Sequence, residues 1–257
     1  MTCDAARRPL SRACARAVAG AGAALAFAAA TAGAQAIRGV TEDSTYTYLS
    51  GGRVVGPVSE VVDATMQRAG FVGYRASVYP WARAYDMALQ EPNVLIFLIA
   101  RTPAREAQFK WVSEFMRLDY HLYKLRTDKE VVVKTLADAK AYSVGVVRDD
   151  MRQQYLQAQG FTRLVVSAQN SESFRKLLNR QLQLVPLSEH DAVRFCEDAH
   201  VDFGLLERTY TLDGLSVGLY MAYSRSTADE VVLRTRSAYD KLKAEGTVAR
   251  LMKSSAR

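Results

Sequence analysis

A formal net charge of +7 on 257 residues would suggest an anionic partner if it were spread over the whole chain, but it is not. Arg7, Arg8, Arg12 and Arg16 crowd the first 36 residues with Asp4, and without that segment 30 basic residues face 26 acidic ones, a balance of +4. Nucleic acid is therefore not implied as a partner, and the 221 residues that remain can bury one large core or two smaller ones.

The four arginines form a basic n-region, residues 17–30 carry no charge, and Ala34-Gln35-Ala36 is a small-x-small cleavage site, so residues 1–36 are expected to be a removable signal peptide. The rival reading, a membrane anchor, is disfavoured because the stretch is mostly Ala and Gly, which gain little from hydrocarbon. Paired Arg7 and Arg8 hint at twin-arginine export without a consistent motif around them. Cys14 lacks the apolar residue expected before a lipoprotein cysteine. Cys3 and Cys14 leave with the signal, so the exported chain keeps Cys196 alone and no internal disulfide.

Short apolar runs then alternate with amphipathic, capped segments, the pattern of an α/β protein. Val58, Val61, Val62, Thr65, Met66 and Ala69 share one helical face, with Gly70 at the C-terminal cap position. Residues 71–79 read as a strand, Pro80 opens a helix through Leu89, and residues 94–99 form an apolar run suited to a buried parallel strand. A second series follows: a short helix at 136–141, a strand at 143–147, a helix at 149–159 ending on Gly160, a strand at 164–167 and a helix from Ser171. A strand at 182–187, a helix at 188–199, a strand at 216–223 and a long helix at 227–245 complete it. Two α/β lobes are the natural packing. No internal repeat, low-complexity segment or Pro/Ser-rich linker marks their boundary, and no other segment reads as a membrane span.

From Thr41 onward, the order of elements and several local motifs resemble the type II extracellular solute-binding proteins, family 3, which include polar amino-acid receptors of ABC importers. The most telling segments are Tyr79-Pro80-Trp81-Ala82-Arg83-Ala84-Tyr85, Pro92-Asn93-Val94-Leu95-Ile96, Arg101-Thr102-Pro103-Ala104-Arg105-Glu106 and Phe109-Lys110-Trp111-Val112. They resemble one branch of the family, mostly of unassigned ligand. The resemblance implies a two-lobed type II periplasmic binding protein fold with two crossing strands at the hinge, near residues 118–122 and 215–220. Lobe 1 would comprise residues 37–119 and 217–257, and lobe 2 residues 120–216, with the ligand between them.

The family binds a ligand carboxylate with a Thr-x-x-Arg motif after the apolar strand, which Thr102 to Arg105 match. A guanidinium offers parallel donors to a carboxylate and stays charged where water is excluded. The plainer alternative pairs Arg105 with Glu106 or another surface acid. Arg83 and Arg101 are candidates to add positive charge, against a solvated Arg83 near Asp86 and a loop-stabilising Arg101. Tyr46 and Trp81 are the candidate aromatic walls, with core packing beside Pro80 the alternative for Trp81. On lobe 2 the resemblance puts a ligand-facing turn at Val146-Val147-Arg148-Asp149-Asp150. There Arg148 and Asp149 are candidates, and helix capping is the bland role for either aspartate. The acid that holds an α-amino group in amino-acid receptors falls in the resemblance at Ser188 or Glu189. The uncertain register there puts α-amino acids in doubt as ligand, and Ser188 equally suits a plain N-cap.

Enzyme signals are weak. Gly214-Leu215-Ser216-Val217-Gly218 matches G-x-S-x-G, but a strand rather than a helix follows the serine. Cys196 and His200 sit four apart without a third metal ligand, and His121 and His190 are isolated. The expected protein is therefore no enzyme and needs no cofactor or metal. It is a periplasmic, monomeric receptor for a small polar, carboxylate-bearing solute, delivering to an ABC permease or a periplasmic sensor domain. The alternative is a dehydratase-like periplasmic enzyme on the same fold, with Glu42, Asp149 or Glu189 as its acid or base.

Overall fold

The computed structural model describes residues 36–254, so the expected export signal, Ala36 apart, lies outside the described residues. The chain begins with β1 (Arg38–Thr41), a hairpin of β2 (Tyr48–Ser50) and β3 (Arg53–Val55), α1 (Pro57–Arg68), β4 (Arg75–Val78), α2 (Trp81–Gln90) and β5 (Val94–Ala100). Then come β6 (Phe109–Leu118), β7 (His121–Leu125), β8 (Val144–Val147), α3 (Met151–Ala158), β9 (Leu164–Ser167), α4 (Asn170–Leu178) and β10 (Val185–Leu187). The chain closes through α5 (Glu189–Asp198), β11 (Leu206–Thr211), β12 (Val217–Ser224), α6 (Asp229–Ala244) and α7 (Thr247–Ser254).

β5 organises the first layer because all seven of its residues are buried, which only a strand covered on both faces permits. It lies at the centre of a five-stranded sheet ordered β4-β1-β5-β12-β6, with β1 parallel to β4 and β5, and β12 antiparallel to β5 and β6. Leu95 and Phe97 feed a core shared with Val58, Val61, Val62 and Met66 of α1 and with Tyr239 and Leu242 of α6. Val94 and Ile96 pack on the other face with Trp81, Ala84 and Ala88 of α2. Burying each α1 valine contributes about 1.5–3 kcal/mol. Leu98 breaks the alternation at φ 61, where the pairing with β12 slips between Tyr220 and Met221. This bulge returns Ile99 to the α2 side.

A second set of strands is ordered β10-β7-β11, all antiparallel, beside the parallel pair β8 and β9. The Val144 to Leu184 bridge and a Gly145 N–H to Leu184 carbonyl bond of 2.8 Å join the two groups. Residues 119–120 carry the chain from β6 into β7, and residues 212–216 return it from β11 to β12.

Several expected elements are shorter than the sequence pattern suggests. Of residues 71–79 only β4 is extended: Gly70 at φ 74 closes α1, Phe71 N–H bonds back to the Met66 carbonyl, and the chain turns before pairing. The helix expected at 149–159 starts at Met151, because Asp149 takes φ 59 and Asp150 caps it. The expected helix at 136–141 is a single 3-10 turn at Asp138–Ala141, and the strand expected at 182–187 pairs in full only over β10. His200, four residues after Cys196, stands at φ 55 beyond the end of α5 and lies off the helix that carries Cys196.

Candidate functional site

In open parallel sheets the carboxyl ends of the strands gather ligand-facing loops, since each strand there hands its chain to a turn or helix N-terminus. In this fold those ends meet across a seam. Glu42 and Asp43 follow β1, Trp81 follows β4 and Thr102 to Arg105 follow β5; facing them, Asp149 and Asp150 follow β8 and Ser188 follows β10.

Polar and aromatic contacts cross the seam. The Trp81 indole N–H donates to the Asp149 carbonyl at 3.0 Å, and Arg105 Nη2 donates to the same oxygen at 3.2 Å. Thr45 donates its backbone N–H and its hydroxyl to Asp191 Oδ1 at 3.3 and 2.8 Å, and Arg194 Nη2 reaches Asp43 Oδ2 at 2.9 Å. The Tyr46 ring lies 5.9 Å from that of His190.

Arg105 is 1% exposed, its guanidinium stacked over Trp81 at 5.2 Å and Tyr85 at 4.9 Å. Its Nη1 makes a long 3.5 Å contact with the Ala100 carbonyl, and its Nε is buried without a partner, as is Thr102 Oγ1. Glu106 belongs to Arg101 instead, which grips it at 2.8 and 2.5 Å while lying over Trp111 and Tyr220. Arg101 is thus an exposed tether for its own loop. Arg83 is exposed and lies over Tyr79 at 4.6 Å.

On the facing side Arg148 is exposed and its N–H bonds to Ser167. Asp149 contributes its carbonyl to the seam, while its N–H is held by Gln153 Oε1 at 2.7 Å. Asp150 is the helix cap: its Oδ1 accepts from Arg152 N–H at 2.9 Å and from Arg152 Nε at 2.5 Å. Ser188 caps α5, accepting from Asp191 N–H at 3.2 Å and donating to Asp191 Oδ2 at 2.8 Å. Glu189 is exposed, 3.7 Å from Arg208. The structure therefore brings Tyr46, Trp81, Thr102, Arg105, Asp149 and Ser188 to the seam and leaves Arg83, Arg101, Arg148 and Glu189 at exposed positions.

Electrostatics add a group that the sequence ranked low. Burial and the Asp150 carboxylate push the Glu42 carboxyl up to about 8, with Asp191 and Asp43 acting the same way and Arg152 against them. Among the described residues its side chain accepts no hydrogen bond, although the residue is only half-buried. Burial also raises the Asp150 carboxyl, but the Arg152 guanidinium and its hydrogen bonds outweigh that and hold it low. Arg152 is itself buried, over the Tyr120 ring at 5.1 Å. Burial pushes the Cys196 thiol up to about 11, a poor state for a metal ligand, and among the described residues no three His, Cys, Asp or Glu gather as one. No described helix is long and apolar enough to cross a membrane. A cavity of about 600 Å³ opens elsewhere, between β3, α1 and β4, lined by Asp63, Phe71 and Tyr74 among others; none of the expected site residues lines it.

No family model matches the chain, and no curated protein matches it. Solved structures do. A histidine kinase sensor domain similar to periplasmic binding proteins aligns at TM-score 0.73 and 13% identity, over 84% of this chain and 94% of that one. An arginine-, lysine- and histidine-binding protein from Geobacillus stearothermophilus aligns at TM-score 0.74 and 14% identity, over 86% and 94%. A Salmonella typhimurium periplasmic binding protein of high arginine specificity aligns at 0.71 and 18%, over 84% and 97%. The chain has the two-lobed α/β fold of the type II periplasmic binding proteins.

Proposed function

We propose that the chain is an exported, monomeric receptor that captures a small polar, carboxylate-bearing solute between its lobes and presents the solute-bound form to an ABC permease or a periplasmic sensor domain. Lobe 1 is taken as residues 37–119 and 217–257 and lobe 2 as residues 120–216. The observation that carries the reading is the pair of buried, unpartnered donors, Thr102 Oγ1 and Arg105 Nε, at the carboxyl end of β5. Buried donors without acceptors cost about 1–3 kcal/mol each, and a solute carboxylate would satisfy both. Trp81 and Tyr85, already stacked on the guanidinium, supply the walls. The Asp191 carboxylate lies on the same seam, which suits a solute that also carries an amine, as an amino-acid-like solute does. The solved neighbours span arginine-binding proteins and a kinase sensor domain, so both kinds of partner remain within the proposal.

A thermal-shift screen of small carboxylates and amino acids on the processed protein identifies the solute, since a ligand that binds only the folded form raises its stability. Calorimetry on Arg105→Ala with that solute is then expected to show a loss of about 3 kcal/mol or more, over a hundredfold in Kd. Unchanged affinity would remove the carboxylate assignment. One observation favours a second reading. Glu42, with its carboxyl near 8, stays protonated at neutral pH, the form a general acid takes, so a dehydratase-like activity on a small carboxylic acid is the alternative. Product appearing in the same mixture by mass spectrometry, and lost in Glu42→Gln, would establish it.

A further inference from the structure

The acceptor that Arg105 and Trp81 share in this structure is part of the protein. Asp149 carries its carbonyl across the seam to accept the Trp81 indole N–H at 3.0 Å and Arg105 Nη2 at 3.2 Å. Two donors converging on one oxygen, with a stacked aromatic pair behind the guanidinium, are what a bound carboxylate oxygen would meet. Asp149 reaches this place only by adopting φ 59, a left-handed conformation that costs a non-glycine residue about 1 kcal/mol or more. The turn is locked there on both sides. Asp149 N–H is held by Gln153 Oε1 at 2.7 Å, and the next residue, Asp150, is buried in its pair with Arg152.

We infer that the Asp149 carbonyl is an internal stand-in for the solute's carboxylate, a latch that closes the two lobes on each other when no solute is bound. A solute must therefore displace this carbonyl to reach Arg105, and its apparent affinity is reduced by the fraction of molecules held latched. The donors left unpartnered, Thr102 Oγ1 and Arg105 Nε, fit this account: one backbone oxygen satisfies part of a donor set that the two oxygens of a carboxylate would satisfy more fully. The latch builds on the solute-receptor proposal for its consequence, but its geometry needs no solute.

The test is made on solute-free protein, refolded after denaturation to strip any carried ligand. Spin labels at Asp86→Cys on α2 and Gln157→Cys on α3, both exposed positions, report the distance between the lobes by pulsed electron resonance. The native sequence is expected to give a single short distance. Trp81→Phe keeps an aromatic ring over the guanidinium but removes the N–H, and is expected to lower the closed-to-open ratio about fivefold. Asp149→Gly keeps the carbonyl, relieves the left-handed residue and removes the carboxylate, so it is expected to stay closed. A native solute-free protein as open as Trp81→Phe would overturn the latch, and so would an Asp149→Gly protein that opens, since the side chain rather than the carbonyl would then hold the seam. Failure of every solute to bind would count against the receptor proposal and leave these distances as they are.

Discussion

At Glu42 the chemistry of the cleft is concentrated in one carboxyl that burial and Asp150 push from 4.5 up to about 8. The folded protein therefore holds a proton between those values that the unfolded chain has released. Its contribution to stability is complete below pH 4.5 and is lost as pH rises through 8. Urea midpoints of the native protein are thus expected to fall across that window relative to those of Glu42→Gln, whose amide cannot titrate. Parallel profiles for the two proteins would show Glu42 ionised throughout. Arg105 and Trp81 were legible in the sequence because the segments around them resemble a known pattern. Ser188 was legible too, but its hydroxyl is spent on the Asp191 it caps, and that aspartate, three residues on, is the one that reaches the seam. Glu42 was legible only as a candidate acid or base of the enzyme alternative, because Thr41-Glu42-Asp43 looks like any polar loop. Its place at the carboxyl end of the first parallel strand was the available signal.

The turn from β8 into α3 is the element on which the facing side depends. Asp150 caps α3 through Arg152 N–H and at the same time pairs the buried Arg152 side chain, which also reaches the Pro186 carbonyl at 3.3 Å. Asp150→Ala removes the cap and leaves a buried guanidinium unpaired, so a loss of about 3–5 kcal/mol is expected by urea unfolding, whereas Asp150→Asn keeps the cap and should lose less. A loss below about 1 kcal/mol for Asp150→Ala would mean that Arg152 finds another partner or water. Strong apolar signals made β5, α1 and α2 readable from the chain. β6 and β11 were missed, and β7 was foreseen only in part as the crossing near residues 118–122, because these strands carry Lys110, Glu114, Arg117, Lys124, Glu207 and Arg208 within their runs. Lys124 shows why such charges are tolerated: it is buried, yet its ammonium donates to the Asp128 and Val131 carbonyls at 3.2 and 2.7 Å. That acceptor pair lies in a loop which periodicity does not describe.

At the scale of the molecule, two lines of polar contact cross the seam, beside the Tyr46–His190 ring contact and the packing of Val147 in the same cluster as Trp81. One is the Asp149 carbonyl on Trp81 and Arg105; the other is Thr45 on Asp191 with the Asp43 to Arg194 ion pair, whose side chains remain 29% and 21% exposed. Partly exposed pairs contribute about 0.2–1 kcal/mol and hydrogen bonds about 0.5–1.5 kcal/mol each, so these polar contacts favour the closed form by a few kcal/mol rather than fixing it. An open form populated at about 0.1–10% is then the one that admits solute. Stopped-flow mixing with the cognate solute separates the two orders of events. Trp81 is one of only two tryptophans, and its indole leaves the Asp149 carbonyl as the latch releases, so its fluorescence reports opening. With slow release preceding binding, the observed rate is expected to fall toward the release rate as solute is raised. A rate that rises with solute and then levels off would put binding first and make closure a consequence of the solute.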